Sequence, residues 1–235
     1  MTKSDNTTPY TAAEYDDNVK KTIPFYGQIH TQTIDLVKTI KPQFRLWLDT
    51  GCGTGSLVEQ ALNIFPGGQF VLADPSKEML QVARERLQTF PNERVCFVPL
   101  RTCEDLAANL PQRPDIITAI MCHHYMNMEQ RHQATQVCFD LLAEGGLYVT
   151  FENVRPGSAE AIKLGLQRWH RFQLSQGRTK ETADEHTVRF DTAYFPITVQ
   201  EHLGILRDCG FRMSELFWYS YMQAGFYALK ANSRD

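Results

Sequence analysis

The run Leu46-Trp47-Leu48-Asp49-Thr50-Gly51-Cys52-Gly53-Thr54-Gly55 constrains the fold of this chain more than any other segment. An apolar strand enters a turn in which glycine recurs at every second position. Such a backbone takes positive φ angles and lets a ligand come close. Ser56 to Phe65 follows, with Leu57, Val58, Ala61, Leu62 and Phe65 at helical spacing. Strand, glycine turn and helix form the opening unit of a nucleotide-type α/β domain.

The dinucleotide pattern Gly-x-Gly-x-x-Gly fails in both registers, because serine stands at 56 and valine at 58. A different ligand is therefore expected in the turn. Gln69 to Ala73 reads as the next strand, and Asp74 stands at its end, where an acidic side chain suits two ribose hydroxyls. Pro75 stops that strand. Ser76 is placed to cap a helix through about Leu87, with Glu78 favourable in its first turn.

The rest of the core alternates in the same way. Strands are expected at 44–49, 69–73, 94–99, 115–121 and 147–152, with helices at 56–65, 76–88, 104–110 and 128–142. Near-continuous apolar strands separated by helices predict a doubly wound, mostly parallel sheet. Ahead of the core, 10–42 reads as a helical cap broken at Pro24, with its second helix over Ile29 to Ile40. Behind strand five, 154–196 reads as a helical insertion with an apolar stripe at Ile162, Leu166, Trp169 and Phe172. Thr198 then looks like an N-cap, and 211–220 and 222–230 read as an antiparallel closing hairpin. Residues 1–9 are polar and are expected to form a disordered tail in front of a single domain spanning 10–235.

Composition narrows the function classes. The net charge of the 235-residue chain is −3, so no global basic field recruits nucleic acid. The basic stretch between Lys163 and Lys180 is the one feature favouring an RNA or DNA substrate. No apolar run is long enough to span a bilayer, and the N-terminus lacks an apolar signal segment. The six cysteines have no Cys-x-x-Cys pair, which points to buried free thiols in a reducing cytoplasm and to neither zinc nor a disulfide framework.

Four motifs in order, Leu48–Gly55, Leu72–Leu80, Pro114–Ile120 and Leu142–Leu147, resemble the core of class I S-adenosylmethionine (SAM)-dependent methyltransferases. The resemblance implies a seven-stranded sheet of Rossmann-like type and SAM as cofactor. It lays Asp49, Thr50, Gly51, Cys52, Gly53 and Gly55 against the methionine part, Asp74 and Pro75 at the ribose, and Met79 near the adenine. An acidic residue after strand three often bonds the adenine amino group. Thr102, Cys103 and Glu104 are the candidates here. At the end of strand four, Met121, Cys122 and His123 would line the floor between cofactor and acceptor. Tyr15, with Asp16, fits the short helix that such enzymes place over the pocket, and Tyr26 ends the same segment; both are candidate substrate contacts, with a plain packing helix as the alternative.

His123 and His124 are candidate general bases, since imidazole titrates near working pH. The alternative is that His123 packs on the cofactor and His124 is a buried, hydrogen-bonded core residue. Adjacent side chains point apart, so the pair is not a metal signature. Methyl transfer itself needs mainly alignment and desolvation, because the sulfonium is already activated.

The second half, from Glu152-Asn153 through Trp169–Phe172 and Thr198–Leu203 to Phe226–Lys230, is similar to carboxy-SAM synthase and its methyltransferase-like relatives. That synthase adds a carboxyl group to SAM from prephenate and holds it with an arginine in the insertion. Arg189 is the nearest candidate, across an alignment gap. The synthase has serine where this chain keeps Gly53, which ranks methyl transfer to a small-molecule acceptor ahead of carboxy-SAM chemistry. A noncatalytic SAM-binding protein is a further alternative. The same resemblance implies a homodimer.

Overall fold

The structure is a computed structural model that describes residues 5–100 and 105–232. Its order is α1 (Tyr15–Thr22), α2 (Tyr26–Ile40), β1 (Leu46–Thr50), α3 (Ser56–Ile64), β2 (Gln69–Asp74), α4 (Lys77–Leu87) and β3 (Val95–Pro99). Then come α5 (Asp105–Asn109), β4 (Ile116–Ile120), α6 (Met128–Leu141), β5 (Leu147–Asn153), α7 (Ala159–Ser175) and α8 (Lys180–Val188). The chain closes with α9 (Val199–Asp208), β6 (Met213–Ser220) and β7 (Gln223–Leu229).

One seven-stranded sheet runs in the order β3-β2-β1-β4-β5-β7-β6. The first five strands are parallel, and β7 joins β5 antiparallel, with Phe151 opposite Gly225. The strand order reverses between β1 and β4, the place where open α/β sheets leave a crevice at their carboxyl ends. β1 is buried along its whole length, because both its faces are covered. Trp47 points into a core shared with α2, α3, Phe70 and Phe151. Leu46 and Leu48 alternate into a second core built with Val71, Ile117, Cys138, Leu206 and Phe226.

Among the described residues, five helix starts carry side-chain caps, at Ser76, Asn127, Ser158, Thr179 and Thr198. Ser76 accepts the Met79 N–H at 3.0 Å. Thr198 and Glu201 form a reciprocal capping box, as do Asn127 and Gln130. Helix α2 begins at Tyr26 rather than Ile29: Phe25 takes a left-handed φ of 57° after Pro24, and regular helix resumes at once. Cys96 is exposed, which corrects the expectation of uniformly buried thiols. No described cysteine is in a disulfide.

The insertion folds as α7 and α8. It leaves and re-enters the core at one point, where Val154 bridges Ile197 and the Arg155 N–H donates to the Ile197 carbonyl at 2.8 Å. Trp169 on α7 is buried and donates its indole N–H to the Thr22 carbonyl at 2.6 Å, which fastens the insertion to the N-terminal cap.

Candidate active site

A cavity of about 650 Å³ lies at the carboxyl edge of the sheet, at the strand-order reversal. Its size is that of a small-molecule or cofactor site. Thr50, Gly51, Gly53, Asp74, Pro75 and Met79 form one wall. Met121, Cys122, His123 and Tyr125 form the floor, and Leu106, Gln130, Gln133 and Ala134 close the far end.

The three turn glycines have different tasks. All have positive φ, at 69°, 53° and 75°. A Cβ on Gly51 would meet the Cys122 Cβ at 2.6 Å, and one on Gly55 would meet the Ala83 Cβ at 3.1 Å, so these two are required by packing. A Cβ on Gly53 would meet nothing within 4 Å, and Gly53 lines the cavity. The Gly53 backbone is therefore open to the cavity. The Gly53 N–H donates to Asp74 at 2.8 Å, and the Ser76 N–H donates to the other oxygen of the same carboxylate at 2.8 Å. Burial raises the Asp74 carboxyl against these two hydrogen bonds. An open glycine backbone facing a fixed carboxylate fits the methionine and ribose ends of SAM.

Not every residue expected at the cofactor reaches the cavity. Asp49 is buried behind the turn, where the Thr118 hydroxyl donates to it at 2.6 Å and the Trp47 indole donates to Thr118 at 2.9 Å. Cys52 and Gly55 are also absent from its lining. Thr102, Cys103 and Glu104 lie outside the described residues. Residues 5–8, part of the stretch expected to be a tail, line the cavity mouth. Asp5 there accepts the Lys77 N–H at 2.8 Å and is bonded to the Ser76 hydroxyl.

A second pocket, of about 40 Å³, adjoins the first. Thr8, Tyr15, Met121 and Tyr125 line both, so they form the partition between them. Beyond it stand Tyr10, His124, His186, Arg189 and Tyr194. Arg189 reaches the pocket, and its guanidinium donates to the Thr7 carbonyl at 3.0 Å. Tyr26 does not line either pocket. It is buried behind Tyr15, within hydrogen-bonding reach of that side chain and of Ser56.

The two histidines are placed apart, as adjacent residues must be. Met121 has a φ of 56°, a strained value for a side chain of its size, and this turns the chain sharply after β4. The turn aims the His123 and His124 N–H groups at Glu152 on β5, at 3.0 and 2.9 Å. The His124 Nδ1–H donates to the same carboxylate at 2.7 Å. That bond leaves Nε2 as the basic nitrogen of a ring lining the second pocket. Glu152 has no exposed surface. Burial alone would raise its carboxyl, but the His124 hydrogen bond and the electrostatic influence of the two histidines and Arg131 hold it well below the usual range. Burial pushes His123 down, so it is a neutral ring against the cofactor cavity.

Sequence reasoning missed Glu152 as the partner of His124, and missed Tyr125 and Tyr194. The adjacent His-His-Tyr triplet was the available signal for Tyr125. Nothing local marks Glu152, because its pairing joins the ends of two separate strands.

Among the described residues, no His, Cys, Asp and Glu cluster could hold a metal ion, and no helix is long and apolar enough to cross a membrane.

Comparison with known proteins agrees with this geometry. Residues 48–148 match the family described as Methyltransferase domain. Carboxy-S-adenosyl-L-methionine synthase of Helicobacter hepaticus is 24% identical over 214 residues, covering 88% of this chain and 87% of that protein. The synthase of Staphylococcus epidermidis is 25% identical over 207 residues, 86% of each. Among solved structures, an O-methyltransferase family protein of Burkholderia thailandensis superposes with a TM-score of 0.62 at 14% identity. It covers 88% of this chain, which spans 57% of that structure. The plantazolicin methyltransferase BpumL, solved with a pentazolic substrate analog and SAH, gives 0.65 at 17% identity, covering 94% and 90%. With the matched motifs, the strand order and the open-glycine cradle beside Asp74, the chain carries a methyltransferase domain over residues 48–148 and has the fold of the SAM-dependent methyltransferases it superposes on.

Proposed function

We propose that this protein transfers a methyl group from SAM to a hydroxyl-bearing small molecule seated among Tyr10, Tyr125, Tyr194 and His124. The observation that carries the reading is the partition: two pockets share Tyr15, Met121 and Tyr125, and the second contains a histidine oriented by a buried carboxylate. When bound, SAM supplies a methyl group on a sulfonium, already activated for in-line attack. Asp74 would hold the ribose hydroxyls, Thr50, Gly51 and Gly53 would lie along the methionine part, and Pro75 and Met79 would flank the adenine end. His124 Nε2 would take the acceptor's proton, and the Glu152 carboxylate would hold the ring in the tautomer that allows it. A base matters only for an acceptor that enters protonated, which is why a hydroxyl is favoured.

Incubation of the purified protein with SAM and a panel of small hydroxylated compounds tests this. The expected outcome is acceptor-dependent formation of SAH that is lost in His124→Ala. SAM binding without turnover on any acceptor would favour the noncatalytic alternative.

One observation favours a second reading, carboxy-SAM formation or use. Arg189, the only side chain with a permanent charge lining the second pocket, lies on the far side of the partition from the cofactor cavity. Relatives named as carboxy-SAM synthases cover most of this chain. Native mass spectrometry of the purified protein separates the two: a bound ligand heavier than SAM by one carboxyl group would make the second reading primary. Cytoplasmic residence and a homodimer belong to the same proposal, and sedimentation tests the dimer.

A further inference from the structure

Arg131 on α6 is a buried cation that the reaction as described does not use. It is 1% exposed. No carboxylate lies within ion-pair distance of it among the described residues. Its Nη2 donates to the Phe195 carbonyl at 2.7 Å and to the Met126 carbonyl at 3.3 Å. Its Nη1 faces His202 Nε2 at 3.4 Å. His202 is held flat against Phe226, ring centroids 4.7 Å apart.

Behind the acceptor site, a cavity of about 10 Å³ is lined by Arg131 together with His123, Tyr148, Thr150, Glu152 and His202. Within that lining Glu152 is the one carboxylate and Arg131 the one permanent cation. Both are cut off from water, where an unbalanced charge is costly and neutral carbonyls do not balance it. Burial lowers the proton affinity of Arg131 and the Glu152 charge raises it, so the two groups sense one another without touching.

The same guanidinium also holds two backbone segments. Met126 follows the turn that carries His123 and His124. Phe195 lies where the insertion returns to the core, directly after Tyr194, and its N–H donates to the His124 carbonyl at 2.7 Å. Arg131 thus grips the chain on either side of the His124–Glu152 pair. If the Phe195 segment withdraws, Arg131 loses its shortest hydrogen bond and the His124 carbonyl loses its donor.

We infer that Arg131 is a positioning residue for the His124–Glu152 pair and makes its alignment depend on the seating of the 154–196 insertion. The inference rests on the reading of His124 as the acceptor-facing base.

Two variants of the full chain test it. Arg131→Gln keeps N–H donors and removes the charge; Arg131→Lys keeps the charge and loses the forked geometry. The first readout is the low-field proton resonance of the His124 Nδ1–H, assigned by its loss in His124→Asn. It needs no acceptor and so tests Arg131 even if the methyl-transfer reading fails. The second is kcat against SAM affinity by calorimetry. In Arg131→Gln the resonance is expected to move or vanish. In the same variant kcat should fall ~100-fold, the size of a misplaced general base, with SAM affinity within ~3-fold of wild type. Arg131→Lys is expected to restore the resonance and to recover kcat to within ~10-fold. An unchanged resonance and kcat in folded Arg131→Gln would overturn the inference, as would a Lys variant no better than the Gln variant.

Discussion

The Gly53 N–H and the Asp74 carboxylate are hydrogen-bonded at 2.8 Å, so the one turn glycine with open space above it is fixed to the acid at the end of the neighbouring strand. The backbone that would face the methionine part and the side chain that would hold the ribose are a single unit. Asp74→Ala is expected to weaken SAM binding by ~10- to 100-fold, the range of a lost hydrogen bond to a charged group. Calorimetry on the purified variant checks it, and unchanged affinity would remove Asp74 from the cofactor site.

Gly51 and Gly53 should respond to alanine in opposite ways. Gly51→Ala drives a Cβ into Cys122 at 2.6 Å and should lower the Tm by an amount equivalent to ~1–3 kcal/mol. Gly53→Ala meets only the ~1–2 kcal/mol cost of a left-handed backbone, but its methyl occupies the ligand's side of the turn. Its signature is therefore a SAM affinity reduced more than its stability. Thermal melts with and without SAM separate the two patterns.

The pH dependence of stability should report on Asp49. Burial pushes its carboxyl up to about 7, against the Thr118 hydrogen bond, with the Asp74 charge adding to the rise. An ordinary aspartate titrates near ~4. Between roughly pH 4 and 7 the folded chain keeps a proton that the unfolded chain has released. The contribution of this group is full below about pH 4 and is lost as pH rises through about 7, with a magnitude on the order of a few kcal/mol. Asp49→Asn removes the titration. Relative to wild type, its Tm in the ligand-free protein should gain between pH 5 and pH 8. A difference that stays constant across that range would count against the assignment.

Glu152→Gln leaves the shape of the pair in place and removes the charge that orients His124. Turnover is expected to fall on the order of 100-fold or more, with SAM affinity nearly unchanged. If SAM binding falls in parallel with turnover, Glu152 supports the cofactor floor through the His123 N–H instead.

Trp169→Phe deletes the indole bond to the Thr22 carbonyl. A loss of about 1 kcal/mol is expected from that bond, with a further packing loss at a 1% exposed site. Because Trp169 also touches His186 and lies near Tyr194, the KM for the acceptor should rise while SAM affinity holds. Steady-state kinetics with the acceptor and SAM varied in turn distinguishes the two effects.

The parts of this fold that were legible in the sequence are those written locally. The glycine turn, Asp74, the Ser76 and Thr198 caps and the strand–helix alternation each rest on neighbours in the chain, and each appears where it was expected. The antiparallel hairpin was legible for the same reason. The second pocket was not. Its walls come from the N-terminal segment, the loop after β4 and the end of α8, and only the closed sheet brings these together. Asp49 and Tyr26 illustrate the same limit: motif position put both near a ligand, while strand and helix rotation turned Asp49 toward Thr118 and Tyr26 behind Tyr15. For His124 the residue was visible and its partner was not, since Glu152 reaches it only through the parallel pairing of β4 and β5.

The single bridge between Val154 and Ile197 makes the insertion a cassette with its two ends pinned side by side. The turns threaded between those ends, away from Trp169 and Phe195, can lengthen or shorten without shifting the register of β5 or the start of α9. The wall around Asp74 is built on the sheet, while the insertion is fastened to it at this bridge, at Trp169 and at Phe195. A lineage carrying this architecture can vary the outer turns of the insertion while the sheet edge around Asp74 stays as it is.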